Sequence, residues 1–109
     1  MVPLVDYDSR PKLGQIVLIT RGRDAGQYAI IVRLIDGRFV HIANGDRLTF
    51  NHPKKKNLSH LQLIDYVSPE VQSSLSLSGH VTNGKLKTAL WKFVYFLKEG
   101  RLVRWRKMM

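Results

Sequence analysis

Five short apolar runs separated by turn signals fill residues 12–66, and this pattern restricts the stretch to a small all-β unit. Residues 15–20 (Gln-Ile-Val-Leu-Ile-Thr) are β-branched and largely apolar, as suits a buried strand. A loop with two glycines follows at 21–26. Residues 27–35 form a second expected strand, with Tyr28, Ile30, Val32 and Leu34 placed on one face. Asp36-Gly37 is a strong hairpin signal and leads into residues 38–42, which alternate polar and apolar side chains. Asn44-Gly45 marks another turn. A short strand is expected at 47–50, a lysine-rich loop at 54–56 after Pro53, and a last strand at 60–65 with Leu61 and Leu63 inward. Five strands in so short a stretch imply a small closed barrel, which leaves few exposed edges.

The rest of the chain, 67–109, reads as a helical, basic extension. Ser68-Pro69-Glu70 supplies an N-cap, a proline at the first helical position and an acid in the first turn. A second helix is expected with Asn83 as cap and Gly84 at its first position. Leu86, Ala89, Leu90, Phe93, Val94 and Leu97 give it one wide apolar face, and Gly100 is a suitable stop. That face suits packing on the barrel or on a second copy, docking of another protein, or a membrane surface, where Trp91 and Phe96 would insert.

Charge narrows the function. The 109 residues carry a formal net charge of +10, and it is unevenly placed. Residues 1–78 hold ten basic and seven acidic side chains, whereas residues 79–109 hold eight and one. An acidic partner is expected, with nucleic acid ahead of an anionic membrane. The chain is too apolar, at 44% hydrophobic, for a disordered basic tail. With no cysteine, disulfide scaffolds, zinc ribbons and thiol enzymes are excluded. The first eight residues lack the basic and apolar regions of a signal peptide. The longest near-apolar run, 89–97, is interrupted by Lys92, whereas a membrane span needs about 20 residues. A cytoplasmic protein is therefore expected.

Catalysis finds little support. His41, His52, His60 and His80 do not pair at metal-ligand spacing. There is no Gly-x-Ser-x-Gly, no phosphate loop ending in Gly-Lys-Ser/Thr, and no paired carboxylates; Asp24, Asp36 and Asp46 all sit in turn contexts. No catalytic residue, metal, cofactor or small-molecule substrate is expected.

Nucleic-acid binding is better supplied. Arg21 and Arg23 flank Gly22 at a loop tip, where guanidinium groups can reach phosphates and the glycine keeps the tip from clashing. Lys54, Lys55 and Lys56 form a second cluster, which gains weight only if the barrel puts it on the same side. Tyr28 shares a face with Ile30 and Val32, which favours the core over stacking on a base. Near the end, Arg104, Trp105, Arg106 and Lys107 combine phosphate-binding cations with an indole able to stack on a base; an exposed, solvated basic end is the alternative.

Residues 13–32, with Gly-Arg-Asp-Ala-Gly at 22–26, resemble a KOW motif: strand, glycine-containing loop, strand, opening an SH3-like barrel. From there to Leu63 the chain is similar to the large-subunit ribosomal protein fourteen type of archaea and eukaryotes. Asp36-Gly37-Arg38-Phe39-Val40 falls where that family has its hairpin, and residues 54–61 (Lys-Lys-Lys-Asn-Leu-Ser-His-Leu) fall where it has a basic Asn-x-x-His-Leu segment. The C-terminal third resembles instead an extension of bacterial KOW-domain proteins classed as RNA-binding. The resemblance implies RNA contact, typically with ribosomal RNA, through Arg21, Gly22, Arg23 and Gly26 and through Lys54, Lys55 and Lys56. The expectation is a mainly β protein: a KOW SH3-like barrel at 12–66 and a helical extension at 67–109. Its expected function is non-catalytic RNA binding in association with the ribosome, with ribosomal or transcription proteins as further partners. A protein-interaction adaptor and a membrane-surface protein are the alternatives.

Overall fold

A computed structural model describes residues 10–100 of the chain. Its elements are β1 (Gln15–Ile19), β2 (Tyr28–Leu34), β3 (Phe39–Ala43), β4 (Lys54–Asn57), a 3-10 turn (Leu58–His60), β5 (Leu61–Val67), α1 (Pro69–Ser78) and α2 (Asn83–Lys98). The five strands are antiparallel in the order β4-β3-β2-β1-β5.

That order forces curvature. In a flat sheet the edge strands β4 and β5 would lie four spacings apart, about 19 Å. They are joined only by the 3-10 turn Leu58–His60, which at about 2 Å per residue spans roughly 6 Å. The sheet must therefore roll up. The 3-10 turn prolongs the two flanking pairings instead of pairing β4 with β5: Thr20 N–H donates to the His60 carbonyl (2.9 Å), one step beyond the β1–β5 ladder, and Leu58 N–H to the Arg38 carbonyl (2.8 Å), one step beyond the β3–β4 ladder. The rolled sheet is the expected barrel, with β4 and β5 joined through the turn and not by a ladder between them.

Rolling gives the sheet two buried faces. The inner one holds Val17, Ile19, Ala29, Ile31, Val40, Ile42, Leu61 and Leu63. The outer one holds Ile16, Ile30, Val32, Ala43 and Ile64, covered by Val71 and Leu75 of α1 and by Leu86, Ala89 and Phe93 of α2. Burial on both faces explains why β1 and the start of β2 are apolar without alternation. It also answers the question of the amphipathic helix. Its apolar face, with Leu90, Val94 and Leu97 at the margins, lies on the sheet of the same chain. Among the described residues no helix is long and apolar enough to cross a membrane.

Several boundaries differ from expectation. Residues 47–50 are not a strand. The Asn44 side chain accepts from the N–H groups of Asp46 (2.9 Å) and Leu48 (3.0 Å), and the Leu48 carbonyl accepts from Asn44 and Gly45, so 44–48 curl into a compact loop. Residues 54–57 are the fourth strand, not a loop, because pairing with β3 overrides the poor strand propensity of lysine. Leu34 does not join the face of Tyr28, Ile30 and Val32: β2 is bulged beyond Ile31, and Leu34 is 46% exposed. The cap of α2 is Thr82, whose hydroxyl accepts from Lys85 N–H (3.1 Å), while Asn83 accepts from Phe50 N–H (2.8 Å) and so ties the helix to the 44–53 connection. Ser68 caps α1 as expected.

Candidate nucleic-acid interface

The β1–β2 loop is built for a tight, exposed tip. Gly26 N–H donates to the Ile19 carbonyl (2.7 Å) and Ile19 N–H to the Gln27 carbonyl (2.9 Å), which closes the loop at its neck. Gly22 and Gly26 both adopt positive φ, +96° and +91°. Gly22 is constrained a second way, since a Cβ there would lie 2.8 Å from the Lys56 ammonium.

Lys56 is central to this loop. It is 7% exposed, and its Nζ donates to the Arg21 carbonyl at 2.8 Å. Beside it, the buried Asp24 carboxylate draws in Arg47 (3.6 Å) and Lys54 (3.8 Å). The loop is therefore gripped from β4 at two points. Arg21 and Arg23 are exposed, and neither guanidinium has a hydrogen-bond or ion-pair partner among the described residues. The result is a rigid mount with two unengaged arginines on top. Around it stand Arg47, Lys54 and Lys56 against one carboxylate.

The lysine triplet is accordingly split. As successive side chains of a strand alternate, Lys54 and Lys56 reach the β1–β2 loop while Lys55 projects from the other face. Lys55 lies over the Phe39 ring, 4.7 Å from its centroid, in a cation–π contact. Expected as three equivalent cations of one loop, the lysines are a tether (Lys56), a half-exposed ion-pair partner (Lys54) and an outward-facing charge (Lys55). Arg104, Trp105, Arg106 and Lys107 lie outside the described residues.

Tyr28 belongs to the core: its ring meets Phe93 edge-on at 5.1 Å, and burial pushes its hydroxyl pKa up. Two residues that sequence reasoning passed over carry structural weight. Asp24 was assigned only a local turn role, and Arg47 none; an acid in a basic loop was the available signal. Among the described residues no group of three or more His, Asp or Glu side chains could hold a metal ion.

Residues 13–42 match the KOW motif. Over 71 residues the chain is 41% identical to a Bacillus subtilis (strain 168) protein named "Putative ribosome-binding protein YbzG", covering 65% of this chain and 96% of that one. The chain belongs to this family of KOW-domain proteins. It is also similar to the large ribosomal subunit protein eL14 of two archaea. Identity is 35% over 54 residues for Aeropyrum pernix and 39% over 54 residues for Desulfurococcus amylolyticus. Those matches take in 50% of this chain and 54% and 56% of the archaeal proteins, so the chain spans about half their length. The mainly β KOW fold with a helical C-terminal part agrees with the expected class.

Proposed function

We propose that the protein is a non-catalytic, cytoplasmic RNA-binding protein that associates with the ribosome and contacts structured ribosomal RNA through the β1–β2 loop. The observation that carries this reading is the pair of unengaged guanidinium groups, Arg21 and Arg23, on a loop gripped by Lys56, Lys54 and Arg47. A preorganised cationic tip loses little entropy when it meets phosphates. The names of the relatives, one a ribosome-binding protein and two ribosomal proteins, support the ribosome as the setting. Lys54 and Lys55 add charge at the rim, Lys56 acts by holding the loop, and Arg104, Trp105, Arg106 and Lys107 add affinity.

Recognition of this kind is by shape and phosphate, so binding is salt-sensitive. Neutralising about four to six phosphates gives a slope of log affinity on log salt of about −3 to −5. The test is crosslinking and sequencing of bound RNA from native cells, together with a sucrose-gradient profile, for the parent chain and for Arg21→Glu/Arg23→Glu. The reading expects one enriched ribosomal RNA segment and co-sedimentation with the large subunit. The variant should lose both while keeping its melting temperature. Recovery of no RNA, with the protein at the top of the gradient, overturns it.

One observation favours the adaptor reading as a second. Trp91 (65% exposed) and Tyr95 (42% exposed) stack on the free side of α2, their rings 5.4 Å apart and 12° from parallel. Under that reading Trp91→Ala would abolish a protein interaction that survives nuclease.

A further inference from the structure

The outer face of β2, β3 and β4 carries a basic row that the β1–β2 loop does not use: two cations, Arg33 and Lys55, with a histidine between them. Arg33 is registered opposite His41, and His41 opposite Lys55. Residues directly opposite in antiparallel pairs share a face, so the three side chains form one line across three strands, about 10 Å long. No acidic residue interrupts the line, and Arg33 has no ion-pair partner among the described residues. The Asp36 carboxylate accepts from its own backbone, the N–H groups of Arg38 (2.7 Å) and Phe39 (3.0 Å), and feels Lys55 only as a smaller, through-space charge.

The row depends on the bulge in β2. Ile31 pairs with Ile42 and faces inward; in an unbroken strand Arg33, two residues on, would face inward as well. The register shift between them puts Arg33 opposite the outward His41. The irregularity thus brings a charge into the line at a cost in strand pairing. Beside the line lies an open cleft of about 280 Å³, walled by Val32, Arg33, His41, Phe50, Asn51 and Pro53. A guanidinium, an imidazole, an aromatic ring and an amide around a cleft suit a nucleotide: phosphate on Arg33, base or ribose against the ring and amide.

We propose that the Arg33–His41–Lys55 row, with its adjoining cleft, is a second RNA-backbone site, on the face of β4 opposite to that which grips the β1–β2 loop. This rests on the RNA-binding reading above and adds a second strand of contact to it.

His41 is a built-in reporter. In the free protein burial, then Arg33 on β2 and Lys55 on β4, hold its pKa below the ordinary histidine value. The residues across the cleft, Phe50, Asn51 and Pro53, are uncharged. A phosphate laid on the row opposes those cations and raises the titration midpoint.

The experiment compares Arg33→Ser/Lys55→Ser with Lys87→Ser/Lys98→Ser, which removes the same charge from exposed positions on α2. Both are titrated with fluorescein-labelled fragments of large-subunit ribosomal RNA beside the parent and Arg21→Glu/Arg23→Glu, and the parent's His41 is followed by NMR. The row predicts a loss on the order of tenfold beyond the α2 control, a salt slope shallower by about 2, and a rise in the His41 midpoint on adding RNA. The row and loop losses should multiply in the combined variant, as for independent sites. If the row variant matches the α2 control and His41 does not move, while the loop variant still loses affinity, this inference fails and the RNA-binding reading stands. If the parent binds no RNA, both fail. A cooperative melt for each variant excludes misfolding.

Discussion

Lys56 separates two accounts of the basic cluster. As a free cation on a loop it would touch phosphate; as a buried tether it holds the loop that does. Lys56→Met tests the difference, because methionine keeps the unbranched stem and deletes the ammonium. The hydrogen bond to the Arg21 carbonyl is charge-assisted, 2.8 Å long and part-buried. Bonds of this class contribute about 1.5–3 kcal/mol. Part is offset, since the buried ammonium no longer has to be stripped of water, and a net loss of about 1–2 kcal/mol remains. For a domain of this size that lowers the melting temperature by about 5–15 °C. Faster amide exchange at residues 21–26 should accompany it, with weaker RNA binding and a salt slope nearly equal to the parent's, because no phosphate contact is removed. The assays are differential scanning calorimetry, hydrogen exchange and RNA titration at several salt concentrations. Unchanged stability together with a slope shallower by about 1 would refute the tether and make Lys56 a direct phosphate ligand.

The other predictions concern the frame. At Gly45 (φ +82°) a Cβ would strike the Asn83 carbonyl and lie 3.0 Å from Lys87 Cγ and 3.1 Å from Leu86 Cβ, so Gly45→Ala should cost about 2–4 kcal/mol and loosen the first turn of α2, read by chemical denaturation and amide exchange. Tyr28 and Tyr66 pack on Phe93, and burial, joined at Tyr66 by Glu70, raises both pKa values. The folded state therefore holds these protons more tightly than the unfolded one. Their contribution is intact below about pH 10 and is lost as pH rises through the folded values. Tyr28→Phe should remove part of this alkaline loss, and an unaltered profile in pH-dependent urea unfolding would contradict the assignment.

What could be read in the sequence was what depends on pattern. The apolar runs at 15–19 and 28–32, the Asp36-Gly37 hairpin, the Ser68 cap and the 86–97 stripe are local signals, and each appears where expected. What escaped depends on partners far along the chain. Nothing local makes Lys-Lys-Lys-Asn a strand; pairing with β3 does. The burial of Asp24 requires Arg47 and Lys54, more than twenty residues away. The bulge in β2 is set by its register with β3, and without it Arg33 reads as an inward or hairpin residue rather than as part of a charged line. For the candidate site, the arginines at 21 and 23 were visible as chemistry. The division of three adjacent lysines between tether, ion pair and outer face was not, because alternation acts only once the strand exists.

The strand Lys54–Asn57 ends the sheet, paired on one side only. A strand left so is a template on which another chain can add, and lysine is among the residues that discourage it. A valine- or threonine-rich version would pair better with β3 and would invite assembly of copies edge to edge. The same ammonium groups that shape the candidate interface therefore also discourage the edge-to-edge addition of copies. Under the proposed function, neutralising them would weaken RNA binding and carry a second penalty, in aggregation.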